Sequence, residues 1–85
     1  MSYFVYILQS ELDSSYYVGS TQDIDARLGR HNQGRSKYTK PKRPWCLVYQ
    51  EIHPDRSSAV KREQQIKNRR SRKYIENLVR ASRQS

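Results

Sequence analysis

Residues 3–9 read Tyr-Phe-Val-Tyr-Ile-Leu-Gln, a run with no polar face. Tyr3, Val5 and Ile7 alternate with Phe4, Tyr6 and Leu8, so a strand built from it is apolar or aromatic on both sides. Such a strand needs cover on both faces, which places it at the centre of a sheet. The chain has little aliphatic material for that cover. Leu, Ile, Val and Phe make up about 19% of its 85 residues and the net charge is +9, close to the range of disordered chains. Seven tyrosines and one tryptophan restore apolar area, because each ring buries a large surface. The expectation is one folded domain with a thin, aromatic-rich core. A domain this small buries only about 60% of the surface its unfolded chain exposes.

The rest of the chain supplies the partners. Glu11 to Ser15 carries turn residues, and Tyr16 to Ser20 is a second short strand, so the two form an antiparallel hairpin. Thr21 or Asp23 caps a helix whose Ile24 and Leu28 pair at i, i+4, and Gly34 stops it. A basic loop with two prolines follows at residues 35–44. Trp45 to Ile52 is a third strand, ended by Pro54-Asp55. Ser57 or Ser58 starts a second helix, with Ala59, Val60 and Ile66 facing inward. Ser71 caps a third, with Tyr74, Ile75, Leu78 and Val79 at helical spacing as simple core residues. The predicted class is α+β, a three-stranded antiparallel sheet flanked by helices in the order ββαβαα. Residues 1–82 form the single domain, and 83–85 a short polar tail.

Charge narrows the function. Residues 1–26 hold four acids and no Lys or Arg; all 17 basic residues follow, in clusters of seven (Arg27 to Arg43) and ten (Arg56 to Arg83). Two such clusters and a pI near 10 are the footprint of a nucleic-acid binder, weighed against a merely solvated basic surface. The basic helices lack a broad apolar face for a membrane. Cys46 stands alone, which excludes an internal disulfide and a zinc site built on Cys pairs. No basic leader with a long apolar run is present, and a cytoplasmic location is expected.

Glu63 is the first residue that core packing does not explain. It lies i+4 from Ala59 and i−3 from Ile66, within the inward stripe of the second helix. A carboxylate there needs a partner. It is either ion-paired to an Arg or reaching solvent, or it is a ligand for a hard divalent cation; position alone leaves these open. Arg27 and His31 share a face one turn apart but are individually weak signals, and Tyr6 and Tyr17 on their own favour core packing.

Taken together, these residues are more specific. Phe4-Val5-Tyr6, then Tyr17-Val18-Gly19, then Arg27, His31 and Glu63 resemble the GIY-YIG nuclease domain. The stretches "YYVGST", "RLGRHN", "YT…PW.LVY.E" and "A.KRE..IK" resemble its small stand-alone bacterial, UPF0213-like branch. Phe4 stands where the family motif has Gly, a position that varies in this branch. The resemblance implies adjacent antiparallel strands that point Tyr6 and Tyr17 into one active site. It implies that Arg27 stabilises phosphoryl oxygens, that His31 holds or helps deprotonate a tyrosine, and that Glu63 binds a single Mg²⁺ or Mn²⁺. Asn77 is the candidate for a late polar residue of the family, and Gly19 would let the backbone turn sharply and admit substrate. The implied activity is a metal-dependent DNA endonuclease, structure-selective and linked to repair or recombination, with RNA as an alternative substrate. A protein partner or a dimer would do the targeting.

An unperturbed phenol has a pKa of about 10, so a tyrosine base active at neutral pH needs roughly 4 kcal/mol of preferential phenolate stabilisation. Tyr17 is the expected base, with Tyr6 orienting it or the phosphate. Lys37, Lys40, Lys42 and Arg43 in the loop, and the run Lys67, Arg69, Arg70, Arg72 and Lys73 at and beyond the end of the second helix, are expected to contact phosphates, which sets affinity rather than sequence choice. The competing readings are a binding module that keeps the fold without catalysis, and an interaction protein with an acidic partner. An HNH-type nuclease has only the two-residue match His31-Asn32.

Overall fold

In the computed structural model, which describes residues 2–83, the two-faced run is the middle strand. β1 (Tyr3–Ser10) pairs antiparallel with β2 (Tyr16–Thr21) on one side and with β3 (Trp45–His53) on the other, in the order β2-β1-β3. The helices are α1 (Ile24–Asn32), α2 (Arg56–Arg69) and α3 (Arg72–Arg83). The class is α+β and the order ββαβαα, as the sequence implies. α3 extends one residue into the segment expected to be tail, and residues 84–85 lie outside the described residues.

The period-2 alternation of β1 divides the core into two layers. Val5 and Ile7 pack with Val18, Ala59 and Ile66, joined by Tyr74, Ile75 and Leu78; this is the α2/α3 side. Tyr6 and Leu8 pack with Ile24 and Trp45, joined by Phe4, Tyr17, Leu28 and Leu47; this is the α1 side. Four consecutive residues, Val5 to Leu8, are at most 1% exposed, which is what cover on both faces requires.

The helix starts follow local capping. Asp23 accepts a hydrogen bond from the Ala26 amide (3.0 Å). Asp55 does the same for Ser58 (2.8 Å), so α2 begins at Arg56 and not at Ser57 or Ser58. The carboxylate is the cap, and Ser58 is its partner in the first turn. Ser71 Oγ accepts from the Tyr74 amide at the start of α3 (3.1 Å). Val60 does not face inward with Ala59 and Ile66. It is 38% exposed, because the stripe of α2 is only one residue wide at each turn.

The basic loop is not free chain. Asn32 at the end of α1 holds the Trp45 backbone through both ends of its side-chain amide: Oδ1 accepts from the Trp45 N–H (2.7 Å) and Nδ2 donates to the Trp45 carbonyl (3.0 Å). Trp45 Nε1 donates to the Thr39 carbonyl (2.9 Å), and Ser10 Oγ donates to that of Lys42 (2.7 Å). On the far edge, Glu51 of β3 accepts from Tyr49 (2.5 Å), Arg62 (2.9 Å) and His53 (2.8 Å), fastening β3 to α2. Burial alone would raise the Glu51 carboxyl, but these three hydrogen bonds outweigh it and hold the pKa below the ordinary value. Among the described residues no helix is long and apolar enough to cross a membrane.

Candidate active site

Tyr6 points from the middle of β1 toward α1, and it is 1% exposed. Its hydroxyl lies 3.3 Å from His31 Nε2, and His31 Nδ1 lies 2.9 Å from Thr39 Oγ1. His31 and Thr39 are also buried, at 3% and 0% exposed. Burial first, then the Tyr17 phenol, push the Tyr6 pKa up to about 12; Glu63 adds to this and Arg27 opposes it. Burial, then Arg27 and Arg30, lower the pKa of His31. At neutral pH, therefore, Tyr6 is a phenol and His31 a neutral imidazole. The consistent assignment has Tyr6 donating to Nε2 and Nδ1–H donating to Thr39. The tyrosine hydroxyl that His31 lies against is that of Tyr6.

Gly19 lies opposite Tyr6 in the sheet register. A Cβ built there would stand 2.5 Å from the Tyr6 hydroxyl and 2.7 Å from its Cζ. This corrects the expected role. Gly19 sits inside β2 and makes no turn, and what approaches its backbone is the Tyr6 ring.

Tyr17 lies half-buried on the same face, its ring 4.8 Å from that of His31 and 6.4 Å from that of Tyr6. It borders two cavities. One, of about 80 Å³, is lined by Tyr17, Arg27, Arg30, His31, Arg35 and Ser36. Three guanidinium groups around so small a volume suit one phosphate, since each can fork onto phosphoryl oxygens. Arg30 and Arg35 were not singled out from the sequence. Their signal was the spacing 27, 30, 35, one helical turn followed by a reversal at Gly34, whose φ is +78°. Thr39 lay within the stretch "YT…PW.LVY.E" but was given no role, because only the folded loop brings it to His31.

Glu63 reaches this edge from the other layer. Ser20 Oγ of β2 donates to its Oε1 (2.7 Å), and Lys67, one turn along α2, pairs with Oε2 (2.5 Å). The side chain is 14% exposed. Of the readings left open for Glu63, an ion pair is present, made with a lysine instead of an arginine. Lys67 Nζ also lies 6.0 Å from the centre of the Tyr17 ring, so a cation already bridges the carboxylate and the tyrosine.

Tyr6, Tyr17, Arg27, His31 and Glu63 are therefore brought together along β2. Asn77 is not: it is exposed on α3 and lines neither cavity at Tyr17. The phosphate-contact candidates divide. Lys67 and Arg70 line the second cavity at Tyr17, and Arg72 lies over the Tyr16 ring (4.9 Å). Lys42 lies near the Tyr38 ring (5.7 Å) and pairs with Asp13 (3.8 Å). Arg43 staples the loop through the Lys40 carbonyl (2.9 Å), while Lys37, Lys40 and Lys73 are exposed. Arg69 stacks on Tyr74 (4.2 Å), away from this group.

Among the described residues no three His, Cys, Asp or Glu side chains cluster as metal ligands. Glu63 is one carboxylate already holding a cation. That donor chemistry fits a hard divalent ion which keeps its waters and takes substrate oxygens.

Comparison with known proteins identifies the family. The family model for the GIY-YIG catalytic domain matches residues 2–75. UPF0213 proteins SAV0488 and SA0446, from two Staphylococcus aureus strains (Mu50 and N315), are each 49% identical over 67 residues. The match spans 78% of this chain and 80% of each relative. The solution NMR structure of UPF0213 protein BH0048 from Bacillus halodurans superposes with a TM-score of 0.60 at 36% identity, covering 95% of this chain and 85% of that one. The chain belongs to the GIY-YIG nuclease-domain family and, within it, groups with the UPF0213 proteins.

Proposed function

We propose that the protein is a metal-dependent endonuclease that hydrolyses phosphodiester bonds of DNA. The observation that carries this reading is the position of Tyr17, between the arginine-lined pocket and the Glu63–Lys67 pair. A phosphate held by Arg27, Arg30 and Arg35 lies beside the Tyr17 phenol. Tyr17 is the group placed to accept the proton of the attacking water. The arginines neutralise charge that develops on the phosphoryl oxygens, a contribution that grows toward the transition state. Tyr6, held protonated, fixes His31 and the floor under Tyr17. Glu63 would hold one Mg²⁺ or Mn²⁺, with Lys67 yielding its place on Oε2, and such an ion supplies Lewis acidity at a phosphoryl oxygen.

The test is cleavage of end-labelled single-stranded, duplex and branched DNA, with and without Mg²⁺ or Mn²⁺, by wild type and Glu63→Ala. Circular dichroism checks that the variant folds. The reading predicts metal-dependent cutting that Glu63→Ala loses. DNA binding without cutting, unchanged in Glu63→Ala, would replace it with a binding module that keeps the fold.

A further inference from the structure

Tyr17 borders a second cavity, of about 360 Å³, whose lining shares Tyr17 with that of the arginine pocket. Its walls include Tyr16, Tyr17, Tyr38, Ile66, Lys67 and Arg70. Tyr38 belongs to no core cluster and is 63% exposed, yet its ring lies 6.1 Å from that of Tyr17 at an angle of 41°. Each of the three tyrosines carries a cation near its ring: Arg72 at Tyr16, Lys67 at Tyr17 and Lys42 at Tyr38. Aromatic faces between phosphate-binding cations form a stacking platform for nucleic-acid bases. Val18, Ile66 and Ile75 add apolar lining, and stacking on a ring face does not depend on which base is present.

We propose that this cavity is a subsite for one unpaired nucleobase next to the scissile phosphate. The proposal rests on the nuclease reading for its neighbour and extends it to a substrate class. A strand crossing Tyr17 sets a phosphate among the arginines and the adjoining base against Tyr38. A base in a duplex is stacked and paired and would have to leave the helix to enter. The substrate therefore carries an unpaired nucleotide at the cut, as in a single strand, a flap or a bulge.

The experiment uses the full chain in EDTA with a DNA oligonucleotide carrying 2-aminopurine, as a single strand and as a perfect duplex. Stacking on a tyrosine quenches this probe, and anisotropy of an end label gives affinity. Wild type is expected to quench the single strand and bind it tighter than the duplex. Tyr38→Ala, at an exposed position, is expected to abolish the quenching and weaken single-strand binding about tenfold, with duplex affinity unchanged. Quenching with RNA alone keeps the base subsite and moves its source to RNA. Single-strand affinity and quenching unchanged in Tyr38→Ala, or equal losses on both DNA forms, would overturn the proposal. Adding Mg²⁺ separates it from the nuclease reading. Cutting with no Tyr38 effect removes the subsite alone, whereas Tyr38-dependent quenching without cutting supports the subsite and removes the nuclease.

Discussion

At the scale of single residues the site is a buried polar chain beneath an accessible tyrosine. Tyr6, His31 and Thr39 satisfy one another, and that lets two ring heteroatoms and two hydroxyls sit out of water. The arrangement has a pH signature. The folded pKa of His31 lies below its ordinary value, with Tyr6, Thr39 and Tyr17 around it and Arg27 and Arg30 repelling a proton. Above about pH 6.5 both folded and unfolded histidine are neutral and the shift contributes nothing. Below that the unfolded chain takes up a proton that the folded one resists, so stability falls until the folded pKa is reached. Melting temperatures of wild type and His31→Gln should therefore converge between pH 7.5 and pH 5. Parallel profiles would show that His31 is not buried neutral. From the sequence, Tyr6, Tyr17, Arg27, His31 and Glu63 were candidates only through their joint resemblance to the GIY-YIG motifs, since position alone settles none of them. The contact of Thr39 with His31 was not legible, because a hydroxyl in a loop has no periodicity and its partner comes from α1.

At the scale of elements, α2 connects the site to the core. Its inward residues, Ala59 and Ile66, pack on β1 and β2. Glu63 and Lys67, one turn apart, reach the edge of β2. The helix then ends on Arg70 in the left-handed region, φ 49° and ψ 38°. Glycine is the usual residue there, and a side chain with a Cβ costs about 1 kcal/mol. Arg70 lines the Tyr38 cavity, so a stabler cap is exchanged for a cation at the site. Arg70→Gly should raise the melting temperature by roughly 4–8 °C, the shift expected for about 1 kcal/mol in a domain of this size. It should also weaken nucleic-acid binding several-fold. A lower melting temperature, or unchanged binding, would contradict this. The strands and helices themselves were legible, since two-faced β1, the caps and the helical spacing are local signals. The start of α2 and the exposure of Val60 were not. Asp55, Ser57 and Ser58 are all capping residue types within four positions, and the width of the buried stripe depends on what packs against it.

At the scale of the whole molecule, one three-stranded sheet separates α1 from α2 and α3. The candidate residues come from both layers and meet where β2 leaves the sheet's edge open. Four of the eight acids lie within the first 26 residues, which hold no Lys or Arg, and all 17 basic residues follow, so the basic surface is built from Arg27 onward. The clusters were legible as charge runs. Their division was not, because only the turn at Arg70 decides that Arg69 stacks on Tyr74 while its neighbours line the site. The measurement that tests the account most directly is single-turnover cleavage of a labelled DNA strand in Mg²⁺ by wild type, Tyr17→Phe and Tyr6→Phe. Removing a general base should cost about 10²–10⁴-fold, so Tyr17→Phe should fall by that much, and Tyr6→Phe, which keeps the ring and loses only a hydrogen bond to His31, by less. Full-rate cleavage by Tyr17→Phe, or the larger loss in Tyr6→Phe, would contradict the assignment of Tyr17 as the catalytic centre.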